Sequence, residues 1–223
     1  MDRVPEPELM TEDHQAKAYA EADFETAHSY MITLLDQKFP ALGPGGTAVD
    51  LGCGPGDISC RFAAAHPGWR VHGVDASEAM LGYGPIVMAR YPGVESRVDL
   101  LVGLLPDCAL PLQHYQAVLS NSLLHHLADP LVLWRSVTRL AQPGAAVLVM
   151  DLVRPETADT VDVLVNAYAS NEPAVLRQDL ANSLRAAYRP GEIEQQLTAV
   201  GLEWLSVKQV TDRHVIVWGV APQ

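Results

Sequence analysis

Cysteine is scarce in this chain: three residues, Cys53, Cys60 and Cys108, at irregular spacing and with no CxxC pair. That count and spacing match neither a disulfide framework nor a zinc-binding motif, and they fit a reducing compartment. Long apolar runs are missing too. The longest are strand-sized, such as Ala145 to Met150, far short of the roughly 20 residues that cross a bilayer as a helix. Basic residues are few and never form a run: 15 Lys and Arg stand against 27 Asp and Glu, a net charge of −12. Such a chain would repel a phosphate backbone. The start, Met1-Asp2-Arg3-Val4-Pro5-Glu6-Pro7-Glu8, lacks the basic end and apolar core of a secretory signal. Carboxylates and histidines are not clustered at ligand spacing, so no metal site is expected. The expectation is a cytoplasmic protein, monomer or homodimer, that binds neither nucleic acid nor membrane.

What is present is an alternation of apolar strands and helices. Asp13 to Phe39 contains no Pro or Gly and repeats Ala27, Met31, Leu34, Leu35 and Phe39 at helical spacing, which predicts one or two helices. Strands are predicted at Thr47–Leu51, Trp69–Val74, Arg97–Val102, Ala117–Ser120 and Ala145–Met150, the last after a Pro143-Gly144 turn. Helices are predicted at Asp57–Ala65, Ser77–Arg90 (weakened by Gly82, Gly84 and Pro85) and Pro130–Ala141. Residues 155–190 interrupt the rhythm with a mainly helical stretch, and a helix from Gly191 to Val200 follows. Two last strands, Glu203–Val210 and His214–Trp218, are separated only by Thr211-Asp212-Arg213 and should form an antiparallel edge hairpin. The alternation predicts one α/β domain over 1–223: a doubly wound, mostly parallel seven-stranded sheet with that hairpin. Residues 1–40 would form a helical lid on it, and 155–190 a helical cap.

The segment Val49-Asp50-Leu51-Gly52-Cys53-Gly54-Pro55-Gly56 lies at the first strand-to-helix turn, where open α/β sheets bind ligands. A dinucleotide fingerprint would have its third glycine at Asp57. An aspartate at a helix start repels phosphate but tolerates or favours a cationic ligand. The Lys-Ser/Thr pair of a phosphate loop is missing as well. Asp75 closes the second strand about 20 residues after the glycine turn, placed to accept ribose hydroxyls. Together these features narrow the ligand to a nucleoside.

These blocks, with Val118-Leu-Ser-Asn-Ser-Leu-Leu-His-His-Leu127 and Asp129-Pro130, resemble the class I S-adenosylmethionine-dependent methyltransferases over about residues 45–151. The resemblance implies that Asp50 and the Gly52-Cys53-Gly54 backbone hold the methionine end of S-adenosylmethionine. It puts Asp75 on the ribose, Ala76 and Met80 beside the adenine, and Ser120-Asn121-Ser122 beneath the sulfonium. Many members carry an acidic residue after the glycine that ends strand three. Here Gly103 precedes Leu104-Leu105-Pro106, which leaves either Asp107 from a displaced loop or backbone groups near Leu104 to meet the adenine.

Several readings stay open. Tyr19, Asp23 and His28 belong either to a lid over the cofactor, as this region does in similar methyltransferases, or to an ordinary amphipathic helix. Asp50 is either a ligand-holding or a backbone-satisfied turn carboxylate. His125 and His126 are adjacent, so at most one should face the pocket. Asp151 is either a pocket base or a cap for the segment after it. Asp179, Asn182, Ser183 and Tyr188 line the acceptor pocket or a surface helix. Cys53 reads as a small buried residue rather than a nucleophile. General-base candidates are His125, His28 and Asp151, in that order. The implied activity is methyl transfer to a small molecule; the alternatives are a non-catalytic S-adenosylmethionine or S-adenosylhomocysteine binder and a non-methylating enzyme on the same fold.

Overall fold

The structure, a computed structural model, describes residues 1–6 and 10–223; Pro7 and Glu8 of the Pro/Glu-rich leader lie outside the described residues. Helices α1 (Asp13–Glu21) and α2 (Glu25–Lys38) precede strand β1 (Gly46–Leu51). Then come α3 (Asp57–Ala65), β2 (Trp69–Asp75), the short α4 (Glu78–Gly82) and α5 (Gly84–Met88), β3 (Val98–Val102) and β4 (Tyr115–Asn121). The chain continues through α6 (Leu131–Leu140), β5 (Ala141–Leu152), α7 (Ala158–Ala169), α8 (Ala174–Ala186) and α9 (Pro190–Ala199), and ends with β6 (Ser206–Gln209) and β7 (His214–Val220). No described helix is long and apolar enough to cross a membrane.

The seven strands form one sheet in the order β3-β2-β1-β4-β5-β7-β6. All pairings are parallel except β5–β7 and β6–β7. Central strands are buried on both faces, which is why β1, β4 and β5 read as continuous apolar runs rather than alternating ones. One core packs Trp134, Val137 and Leu140 of α6 and Ile193 and Leu197 of α9 onto one face. Met31, Leu34 and Leu35 of α2 and Phe62 of α3 cover the other. A smaller apolar cluster joins Leu152, Val161, Leu164, Val165 and Leu184 of α7, α8 and the end of β5.

Three expectations are corrected. Strict alternation fails between β3 and β4, where residues 103–114 form a loop with no helix. The helix expected at Ser77–Arg90 is split at Tyr83: Pro85 has no N–H to give and starts a new turn as α5. Strand β5 begins at Ala141, so Pro143-Gly144 is not a turn before it; a register shift between Tyr115 and Ala117 absorbs the irregularity.

Trp134 is fully buried, and its Nε1–H donates to Gln196 Oε1 at 2.9 Å, tying α6 to α9. Trp134→Ala should lower unfolding free energy by about 3–5 kcal/mol, because a large cavity opens and Gln196 loses its donor. Urea denaturation measures it; a loss under about 1 kcal/mol would mean that α6 is not packed as described.

Candidate active site

Parallel pairing carries the C-terminal ends of β1, β2 and β4 to one sheet edge. The turn after β1 is possible because Gly52, Gly54 and Gly56 hold φ of 69°, 55° and 90°, a left-handed region that disfavours side chains. A Cβ on Gly52 would also stand 2.7 Å from Leu123. The N–H groups of Gly52 and Cys53 donate to Val74 O at 2.8 and 3.1 Å. That of Gly54 donates to Asp75 Oδ2 at 2.8 Å, and Ser77 N–H donates to Asp75 Oδ1 at 2.8 Å. Asp75 is thus oriented by backbone on both oxygens, each keeping a lone pair for a ligand. Burial, against these backbone bonds, raises its pKa.

Asp50 is 1% exposed. Its Oδ2 accepts from Ser59 Oγ at 2.7 Å, while Oδ1 has no hydrogen-bond partner among the described residues. Burial pushes its pKa up to about 7, with the charges of Asp75 and Asp57 adding to the rise. A buried carboxylate oxygen without a donor favours a cationic ligand. Asp57, the first residue of α3, goes the other way. Burial alone would raise it, but hydrogen bonds from His28, Tyr91 and Arg61 hold it well below the usual carboxylate range. His28 Nδ1 lies 2.6 Å from Asp57 Oδ2, so this candidate base ties α2 to α3. Cys53 is buried, and burial, then Asp50 and Asp75, keep its thiol neutral, which removes it as a nucleophile.

At the fourth strand, Asn121 and Ser122 are on the wall of the site, but Ser120 is not. Its hydroxyl donates to Leu51 O at 2.8 Å and stitches β4 to β1, which corrects its expected place beneath the sulfonium. Asn121 Oδ1 is a second buried acceptor without a partner among the described residues. Both His125 and His126 face the cavity, correcting the expectation of one. Their rings are tilted 35° with centroids 4.2 Å apart, so the backbone turn presents them side by side. Asp151 stands behind His125 instead of on the wall. Its Oδ1 lies 2.5 Å from His125 Nδ1 and its Oδ2 accepts from Leu124 N–H at 2.7 Å. Base and cap were alternatives for Asp151; the structure makes it a cap of the Leu124 amide that also orients His125. Burial disfavours a charged His125, yet Asp151 and then Glu6 hold its pKa above the ordinary value.

These groups enclose a cavity of about 510 Å³. Tyr19, Asp23 and His28 wall it from α1 and α2; Ala76, Met80, Gly103 and Leu104 wall it from the β2 and β3 ends. The Tyr19 hydroxyl is pushed well up by burial and then by the charges of Asp57, Asp75 and Asp50. Asp179 and Ser183 also line it, whereas Asn182 and Tyr188 do not. Asp107 is not an adenine partner: its side chain is 93% exposed and pairs with Arg139 at 3.4 Å. Sequence reasoning missed Phe24, Tyr168, Leu176, Arg213 and His214, which are also on the wall. Only the hairpin turn hinted at the last two. It missed Glu6 as well: Oε1 lies 3.4 Å from His125 Nε2 and 3.3 Å from His126 Nδ1. Three metal-capable groups do therefore cluster, against the sequence-based expectation; residues 119 positions apart give no local spacing signal.

Comparisons with known proteins agree with this geometry. Residues 49–147 match a family model described as a methyltransferase domain. The ubiquinone biosynthesis O-methyltransferase of Marinobacter nauticus is 27% identical over 177 residues, covering 77% of this chain and 69% of that protein. The trans-aconitate 2-methyltransferase of Methylobacterium radiotolerans is 30% identical over 128 residues, 56% of this chain and 45% of that protein. The aligned stretches span from 26% to 69% of the curated relatives' own length. In structure, an S-adenosylmethionine-dependent methyltransferase of Methanococcus maripaludis superimposes with a TM-score of 0.71 at 13% identity, covering 99% of this chain and 98% of that one.

The residues present fit S-adenosylmethionine: the unpartnered Asp50 oxygen would suit a cationic group, and the remaining lone pairs of Asp75 would suit vicinal hydroxyls. Asp75→Ala should weaken S-adenosylhomocysteine binding at least tenfold in calorimetry; unchanged affinity would remove Asp75 from the site. Asp50 must be ionised to pair with a cation, so binding should tighten as pH rises from about 5.5 to 7.5 through its raised pKa. Asp50→Asn should flatten that dependence, and an equally steep profile in the variant would contradict the assignment. Glycine turn, paired carboxylates and strand order agree with the comparisons: residues 49–147 match a methyltransferase domain, and the chain has the fold of the S-adenosylmethionine-dependent methyltransferases it resembles.

Proposed function

We propose that the protein transfers a methyl group from S-adenosylmethionine to a small molecule with an apolar body and a polar reacting group. The observation that carries this reading is the convergence of Asp50, Asp75 and Asn121 on one walled cavity that continues into a second, mostly apolar region. That region is lined by Leu152, Tyr168, Ala169, Leu176 and Leu180, with Glu172, Asp179, Ser183, Arg213 and His214 among its polar points. Burial and then Arg213 lower the His214 pKa to about 4, so it is a neutral donor or acceptor at pH 7. We further assign residues 1–40 as a lid and 155–190 as a cap on a single domain. The net charge of −12 disfavours a nucleic-acid acceptor. The three cysteines are free thiols, in keeping with a cytoplasmic setting.

Bound there, S-adenosylmethionine supplies a methyl group already activated by its sulfonium. The protein's task is then to align the acceptor and exclude water, and alignment alone can be worth about 7–11 kcal/mol. Asp50 and the Gly52–Gly54 turn hold the methionine end, Asp75 the ribose, and Met80 and Leu104 the adenine. His125 handles the acceptor proton, with Asp151 as the positioning residue that fixes its tautomer.

Transfer of labelled methyl groups into a metabolite extract tests the activity. A labelled low-molecular-weight product that requires Asp75 is expected. Tight cofactor binding with no labelled product across extracts would favour a non-catalytic binder instead. With the acceptor in hand, His125→Ala should cut kcat by about 10²–10⁴-fold at pH 7; full turnover at several pH values would refute its role.

A further inference from the structure

Glu6 Oε1, His125 Nε2 and His126 Nδ1 all lie within 4.8 Å of one another, and Oε1 stands 3.4 and 3.3 Å from the two nitrogens. Those separations are long for a charge-assisted hydrogen bond, which falls at about 2.7–2.9 Å, and Glu6 Oε1 accepts none among the described residues. They match a different geometry. Donors held about 2.0–2.2 Å from a tetrahedral ion stand about 3.3–3.5 Å from each other. We propose that Glu6, His125 and His126 bind one divalent ion of the zinc class, with a fourth position open to the cavity.

The surroundings support the ligands as a metal site requires. His125 Nδ1 is fixed by Asp151 at 2.5 Å, which directs the Nε2 lone pair toward Glu6. This carboxylate behind an imidazole sets the tautomer and raises ligand basicity. Asp151 is itself held by the Leu124 and Leu152 amides at 2.7 and 2.6 Å, and Ser183 hydrogen-bonds the Glu6 carboxyl. The side chains of Glu6 and His125 are only 9% and 2% exposed, so a carboxylate and an imidazole are withheld from water with no direct hydrogen bond between them. Asp151 and Asp179 add negative charge; Arg3, on the His125 carbonyl at 2.9 Å, is the opposing cation. Two imidazoles and one carboxylate suit zinc better than calcium or magnesium, which prefer oxygen donors. Three protein ligands and an open position are the arrangement of catalytic rather than structural zinc.

His125, His126, Ser183 and Asp179 line the cavity, so the fourth ligand comes from within it: water, or an anionic oxygen of the acceptor. That the acceptor's oxygen binds there rests on the methyltransferase reading; ion binding itself does not. With the ion in place His125 Nε2 is a ligand and takes no proton, so the ion would replace the proton-accepting role given to His125 above: it would lower the pKa of a coordinated acceptor hydroxyl, whose proton would leave to water in the cavity.

The test uses the full chain without an affinity tag, stripped by chelator and titrated with zinc against a chromophoric competitor, then with cobalt. One ion per chain and an intense tetrahedral cobalt spectrum are expected. Glu6→Gln and His126→Ala should each weaken zinc at least tenfold, and Asp151→Asn by about 10–100-fold. Asp75→Ala should lose S-adenosylhomocysteine while keeping the ion, which separates failure of this site from failure of the cofactor reading. No ion retained at micromolar zinc, or equal affinity in wild type and both ligand variants (an adventitious ion only), would overturn the proposal. If the variants do not fold, the wild-type cobalt spectrum decides: tetrahedral bands support the site and their absence overturns it.

Discussion

Asp50, Asp75 and Asn121 meet because β1 pairs in parallel with both β2 and β4. In that register Asp50 lies beside Gly73 and Leu119, and Leu51 beside Val74 and Ser120, so three strands end together and release their polar residues on one edge. The ends are locked to each other. Gly52 and Cys53 amides bind the Val74 carbonyl, and the Ser120 hydroxyl binds that of Leu51. A slip of one residue in either pairing would turn every side chain to the opposite face. Sheet register therefore sets where these polar residues meet, and the turns after β1, β2 and β3 supply the rest of this wall.

The cost of this arrangement is electrostatic. Asp50, Asp57 and Asp75 crowd one end of the cavity, and two of them are solved differently. Asp57 is satisfied within the protein by His28, Arg61 and Tyr91, which also fastens α2 over the turn. Asp50 is left with one oxygen unsatisfied and its pKa raised to about 7. A group raised in this way favours the folded state at low pH and ceases to do so as pH rises through that value. A cationic ligand removes the penalty, so ligand affinity and apo-protein stability are linked through one carboxylate.

Local patterns made most of the fold legible in the sequence, together with the residues that the sheet brings to one edge. Val49–Gly56 and Asp75 carry their meaning in a turn and a strand end, and the apolar runs of β1, β4 and β5 reflect burial on both faces. Ser120 was misjudged because a serine at a strand end gives no sign of whether its hydroxyl turns to the ligand or to the neighbouring strand. The acceptor half was harder to read. Its wall is assembled from Phe24 before α2, Tyr168 on α7, Leu176 on α8, and Arg213 and His214 in the hairpin, segments with no shared motif. Glu6 is the extreme case: it reaches His125 and His126 only through the folded path of the N-terminal segment, which Arg3 anchors to the carbonyls of Ala186 and His125.

The central claim is that one sheet edge grips an adenosyl sulfonium by its two carboxylates. A crystal structure of the complex with S-adenosylhomocysteine tests it most directly. The account predicts the ribose hydroxyls on Asp75, the amino-acid end beside Asp50 and the sulfur turned toward Asn121 and His125. Electron density for the ligand elsewhere on the chain, or in this cavity with the ribose away from Asp75, would contradict it.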